Sequence, residues 1–183
     1  MRRLTHVAVL LAALSPLVGC GEEVADEALP PPQEMTADAT GHYCGMRLAE
    51  HAGPKGQVIL KDQVEPVWFT SVRDTIAFTL LPEEPKDVRA IYVSDMGKAP
   101  NWNKPGPNNW VEARAAFFVV GGDLKGGMGA PEAVPFSSRP DAEKFAREHG
   151  GKVVTFDQIP RDYILGSLAR PRRGTTLAWA LDR

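Results

Sequence analysis

Past residue 56, short apolar runs alternate with turns, and twice an apolar run gives way to a helical period. "QVILK" (57–61), "VWF" (67–69) and "VRAIYVS" (88–94) read as strands, as do "AAFFVVGG" (115–122), "VPF" (134–136) and "GKVVTF" (151–156). Val72, Ile76, Phe78 and Leu80 mark a helix over 71–81 that Pro82 ends. Ala142, Phe145 and Ala146 mark a second over 139–149, with Pro140 in its first turn and Gly150-Gly151 as its stop. The order is strand-strand-helix-strand, twice, which predicts an α+β fold of two similar small subdomains packed together.

The two units also match residue by residue. "EPVWFTSVRDTIAF" (65–78) and "EAVPFSSRPDAEKF" (132–145) align without a gap. Glu65 meets Glu132, Phe69 meets Phe136, Thr70 meets Ser137, Ser71 meets Ser138 and Asp74 meets Asp141. In each copy a Val/Phe strand runs into a Thr/Ser-Ser pair that supplies the N-cap, with an acidic residue in the first turn. The alternative is coincidence, since Phe, Ser and Asp are common at strand-to-helix junctions. The first subdomain is set at 42–98, a linker at 99–114 and the second subdomain at 115–166. The linker is rich in Asn, Pro and Gly. Its Trp102 and Trp110 are expected to pack across the subdomains rather than on a ligand.

The N-terminal pattern is different. Arg2 and Arg3 precede an apolar run over 7–18, too short for a spanning helix of ~20 residues. Such a start reads as a secretory signal. Leu17-Val18-Gly19-Cys20 resembles the bacterial lipoprotein box, which implies a signal peptide over 1–19 and acyl chains, palmitate among them, on Cys20. An ordinary signal with a chance cysteine, or an N-terminal anchor, is the alternative. Residues 20–41 are acidic, aromatic-free up to that point and interrupted by "LPPP", so they read as a lipid-anchored flexible tether. The body would then sit at a bacterial membrane in the periplasm. Gly21 is no clear retention signal, and the outer membrane is favoured over the inner. Net charge is −2, which argues against nucleic acid as a partner.

Only 2 cysteines occur in the chain. With Cys20 acylated, Cys44 has no partner for a disulfide. In an oxidising compartment an odd cysteine suggests a reactive or metal-binding thiol, against the alternative of an inert buried one. Cys44 and Met46 lie two apart in "HYCGM", so an extended segment would put both on one face. Thiolate with thioether selects copper(I), whereas zinc calls for a four-ligand set that is absent. His51 could add a nitrogen. Met128 stands among glycines in "KGGMGAP" with no apolar neighbours in sequence, as a soft ligand or as a plug in the subdomain interface. Met96 opens the linker and is a further thioether.

"CGMRLAEHAGPKGQVIL", "WFTSVRDTIAFTLLPEEP", "AIYVSDM" and "GMGAPEAVPFSSRPDAEKFAREHGGKVVTFDQI" together resemble the NosL family, over about Tyr43 to Ile164. That resemblance implies a periplasmic lipoprotein, not an enzyme. It implies one copper(I) ion carried for the copper–sulfide cluster of nitrous oxide reductase, in denitrification. A membrane ABC-type maturation complex would be the second partner. The implied ligands are Cys44, Met46, Met128 and His51, with Met96 as a further candidate. The fold also looks like part of the organomercurial lyases, so a thiol-dependent enzyme acting on thiophilic metal compounds is one alternative. A purely structural docking lipoprotein is another. Residues 167–183 look like a C-terminal extension beyond the family core, a solvated tail by default.

Overall fold

The structure is a computed structural model and describes residues 28–166. The signal over 1–19, Cys20, the start of the tether and the extension over 167–183 lie outside the described residues.

The first unit runs β1 (Gly56–Leu60), β2 (Val67–Phe69), α1 (Val72–Leu80) and β3 (Val88–Ser94). The second runs β5 (Phe117–Val120), β6 (Val134–Phe136), α2 (Arg139–His149) and β7 (Lys152–Thr155). Both sheets are antiparallel and place the strands of their units in one order, β2-β1-β3 and β6-β5-β7. The duplicated α+β pattern is therefore present as topology as well as sequence. The helices start where their caps dictate. Ser71 is extended and its hydroxyl accepts from Asp74 N–H at 3.0 Å, so α1 begins at Val72, one residue later than expected. Helix α2 spans 139–149 as expected and stops at Gly150 with φ 73°.

Three elements add to the expected pattern. Strand β4 (Trp110–Glu112) pairs with β3 at the edge of the first sheet, inside what the sequence reads as linker. A short helix α3 (Arg161–Leu165) packs on α1, where Arg73 Nε donates to Ile164 O at 2.7 Å. Residues 28–41 are the largest correction. The expected tether is, from Ala28 onward, laid across the outer face of the first sheet. Gln33 and Gln57 exchange a pair of hydrogen bonds at 2.8 and 2.9 Å, and Tyr92 Oη donates to Pro30 O at 2.8 Å. The physical reason is alternation. Residues 57 and 59 of β1 and 90 and 92 of β3 face away from α1, yet Ile59, Ala90 and Tyr92 are apolar and need a cover.

The main core lies between the inner face of the first sheet and the second sheet. Val58, Leu60, Ile91 and Val93 meet Val72, Ile76 and Phe78 of α1 together with Phe118, Val120 and Val154. Helix α2 covers the other face of the second sheet through Ala142 and Phe145 against Val119 and Phe136. Trp102 stacks on Phe145 of the second unit while its carbonyl accepts from Gly53 N–H in the first, so it does bridge the units. Trp110 does not. It lies against Trp68 on the first sheet.

Two buried acids also cross between units. Asp95, beyond β3, accepts from Ser137 N–H at 3.1 Å and from Ser137 Oγ at 2.6 Å, just ahead of α2. Glu132, ahead of β6, accepts from Arg73 N–H in the first turn of α1 at 2.9 Å. Burial pushes the Asp95 carboxyl up, but its bonds to Ser137, Lys98 and Gly97 more than offset this and hold it below the usual carboxylate value. Asp95→Ala should therefore cost about 2–3 kcal/mol at neutral pH, by leaving two donors of Ser137 unpaired. The native carboxylate's contribution is present above its unfolded pKa and is lost as pH falls through the lower folded one. Urea unfolding at pH 7 and pH 3 checks this: the gap between the two proteins should shrink in acid.

Candidate metal centre

The segment ahead of β1 is a tight hairpin, not an extended strand. Thr40 and Arg47 form an antiparallel bridge, Gly41 N–H donates to Met46 O at 2.9 Å, and Gly45 N–H donates to Gly41 O at 2.8 Å. Gly45 turns the chain at φ 66°. Cys44 and Met46 therefore flank a left-handed glycine at the tip, which replaces the expectation that an extended backbone puts them on one face. The base of the hairpin is anchored. His42 N–H donates to Trp68 O at 2.8 Å and the His42 ring packs on Phe69 and Phe78. Tyr43 Oη donates to Glu84 at 2.9 Å. Burial first, then that hydrogen bond, raises the Tyr43 hydroxyl pKa, so it stays protonated and keeps donating. At the tip Cys44 is free and half-buried, and Met46 is 38 % exposed. The Cys44 sulfur lies 3.7 Å from Thr70 Oγ1, one residue before the α1 cap.

Between hairpin and β1 the chain makes a short 3-10 turn, Leu48–Glu50, and then His51. Lys55 fixes this loop from below. Its side chain is buried and its ammonium donates to the carbonyls of His51 (2.7 Å), Ala52 (3.2 Å) and Gly53 (2.8 Å). Burial lowers its pKa to about 8, with the nearby Glu132 pulling the other way. His51 Nδ1 is 3.5 Å from Gly127 O, a marginal hydrogen bond, while Nε2 is buried without a hydrogen-bond partner among the described residues. A buried imidazole nitrogen in that state is a lone pair or a proton looking for a partner.

Gly127 belongs to the turn that carries Met128. Gly129 N–H donates to Gly126 O at 2.8 Å and Gly126 N–H to Ala130 O at 3.0 Å. The turn is wedged between the two units, and only glycines fit. A methyl group at 127 would fall 2.5 Å from His51 Cβ, and one at 126 would fall 2.5 Å from Glu132 Oε2. Met128 itself is 50 % exposed and lines a small cleft with Ser71, Arg73 and Asp74 of the first turn of α1. The Cys44 sulfur and the Met128 cleft thus each lie beside the start of α1, while His51 meets the Met128 turn at Gly127 and otherwise lines a second cleft with Leu48, Lys55 and Pro105.

Met96 is elsewhere. Its N–H donates to Pro135 O at 2.9 Å and its side chain packs with Trp102, Phe117 and Phe145 around Phe136. The linker carries it across to β6, which takes it away from the Cys44 hairpin and commits its thioether to packing. Among the described residues no three His, Cys, Asp or Glu side chains gather as metal ligands, so an ion held here would depend on thioether sulfur. Sequence reading did not single out Lys55, and gave Thr70 and Glu132 only their places in the repeat. Its counterpart Glu65 is exposed, while Glu132 is buried.

Fold and site together define a duplicated α+β protein with a sulfur-rich rim at a helix N-terminus. The chain belongs to the NosL family, whose profile matches residues 32–164. It is 45% identical over 166 residues to the copper-binding lipoprotein NosL of Achromobacter cycloclastes, covering 90% of this chain and 85% of that one. It is 39% identical over 156 residues to the copper-binding lipoprotein NosL of Stutzerimonas stutzeri, covering 85% and 78%. Among solved structures it superposes on the copper chaperone NosL from Shewanella denitrificans with a TM-score of 0.67 at 39% identity, over 72% of this chain and 98% of that one.

Proposed function

We propose that this chain is a lipid-anchored, non-enzymatic carrier of a single copper(I) ion in the periplasm. The ion is cargo, held by the Cys44 thiolate with Met46, Met128 and His51. Its destination is the copper–sulfide cluster of nitrous oxide reductase, with a membrane ABC-type complex as supply or docking partner. Cys20 carries the acyl chains that hold the protein at the membrane, the outer one in our reading. No helix among the described residues is long and apolar enough to cross a membrane.

One observation carries the reading: the Met128 turn of the second unit is wedged against His51 and the α1 end where the Cys44 sulfur lies. Soft donors on an exposed rim suit copper(I), and the relatives are named for binding or carrying copper. A low-coordinate ion at the surface leaves room for an acceptor's ligands to add before these leave, so transfer needs no free ion.

Copper(I) titration of the full chain against a competing chelator should show one ion per chain. Met128→Leu should weaken binding about tenfold, less than loss of the thiolate because a neutral thioether is the weaker donor, while Met96→Leu changes nothing. Equal losses in the two variants would break the assignment of Met128, and no uptake at all would end the copper reading.

A further inference from the structure

The internal repeat pairs Thr70 with Ser137, and the structure gives the two hydroxyls matching surroundings. Each stands one residue ahead of its helix N-cap, Ser71 for α1 and Ser138 for α2. Each faces a side chain that arrives from the segment ahead of its own unit. In the second unit that side chain is Asp95, and Ser137 Oγ donates to its carboxylate at 2.6 Å. In the first unit it is Cys44, whose sulfur lies 3.7 Å from Thr70 Oγ1, within reach for a hydrogen bond to sulfur. The niche that holds an anion in one copy holds the thiol in the other.

The surroundings of Thr70 fix its orientation. The residue is 2 % exposed. A methyl group at Gly41 would fall 2.9 Å from Thr70 Cγ2 and 2.8 Å from Cys44 Sγ, so the hairpin backbone closes over both. With the threonine methyl held against Gly41, the hydroxyl is left for the sulfur. Helix α1 has 9 residues, and its N-terminal end lies at the same place.

We propose that Thr70 is a positioning residue of the metal centre: its buried hydroxyl donates a hydrogen bond to the Cys44 thiolate and holds the sulfur beside the start of α1. This rests on the copper reading above and adds to it a residue that touches no metal. Hydrogen bonds to a ligand orient it and draw electron density from the donor atom, and their loss typically costs about 10- to 100-fold in metal affinity.

The test uses the full chain, with copper(I) affinity from chelator competition and the energy of the sulfur-to-copper(I) charge-transfer band. Thr70→Val keeps the shape and removes the hydroxyl. It should weaken binding about tenfold and move the band to lower energy, because a sulfur without its hydrogen bond is easier to oxidise. Thr70→Ser keeps the hydroxyl and should bind within about threefold of the native chain, with its band unmoved. Ser137→Val, in the equivalent niche of the other unit, should change neither readout although it removes the bond to Asp95. That separates a local effect on sulfur from general destabilisation. A Thr70→Val protein that binds and absorbs like the native chain overturns the proposal, and so does a Thr70→Ser protein as weak as Thr70→Val. Cys44→Ser, run alongside, keeps the two ideas apart. If it retains copper, the copper reading fails whatever Thr70 does. If it loses copper while Thr70→Val is unchanged, only the role of Thr70 falls.

Discussion

Cys44→Ser is expected to weaken copper(I) binding by about a thousandfold, near 4 kcal/mol, and to leave the unfolding midpoint almost unmoved. Both halves follow from the site. In the proposed site the thiolate is the one anionic soft donor, while Met46 and Met128 are neutral and His51 is borderline. Structural zinc sites in small peptides bind with about 10–16 kcal/mol, an average of roughly 3–4 kcal/mol over four ligands, with a neutral thioether below that average. The charged ligand belongs at the top of that range. A serine hydroxyl is a hard donor that stays protonated, so it cannot substitute. The fold is spared because Cys44 is half-buried at a hairpin tip, where serine fits the same space and can still bond to Thr70. Competition against a strong copper(I) chelator gives the affinity, and urea unfolding of the apoproteins gives the stability. A loss under about tenfold would remove the thiolate from the centre of the site.

The repeat is legible in the sequence because its signals are local. A period-2 strand, a hydroxyl N-cap and a period-3.6 helix all sit within about fourteen residues of one another. Elements β4 and residues 28–41 are not legible for the opposite reason. Their hydrogen bonds go to β3, Gln57, Tyr92 and Pro107, well away in sequence, and "LPPPQEMTADAT" carries no periodicity of its own. The candidate site divides the same way. Compartment and spacing single out Cys44 with Met46, and the glycines around Met128 mark it as unusual. Nothing in the spacing says that the Met128 turn lands on His51, or that Met96 is taken instead to β6. Glu65 and Glu132 align within the repeat, yet one is solvated and the other buried. Only the tertiary structure, which puts α1 of one unit against the loop of the other, tells them apart.

That difference should be measurable as a pH dependence centred on Glu132. One oxygen, Oε1, accepts from Arg73 N–H at 2.9 Å and Ala133 N–H at 3.0 Å, while Oε2 is buried without a partner among the described residues. Burial therefore dominates and raises its pKa to about 8, with Asp74 adding to the rise and the two N–H groups and Lys55 opposing it. The sign is set by which state holds the proton. Between the unfolded value near 4.5 and the folded value near 8, the native state binds the proton and the unfolded state does not. The native carboxyl's contribution is thus fully present below about pH 4.5 and is lost as pH rises through about 8, an effect of about 3–5 kcal/mol. Lys55 acts in the next window. Its depressed pKa means the unfolded state binds more protons between about 8 and 10.5, so stability recovers there and the minimum falls near pH 8. Glu132→Gln keeps an acceptor for both N–H groups but cannot ionise. It should match the native chain within about 1 kcal/mol at pH 5 and exceed it by roughly 3 kcal/mol at pH 8. Glu132→Ala, which strands both donors, should be less stable than Glu132→Gln at either pH. Urea unfolding of the three proteins from pH 5 to pH 9 decides the matter, and parallel curves for the native chain and Glu132→Gln would sink it.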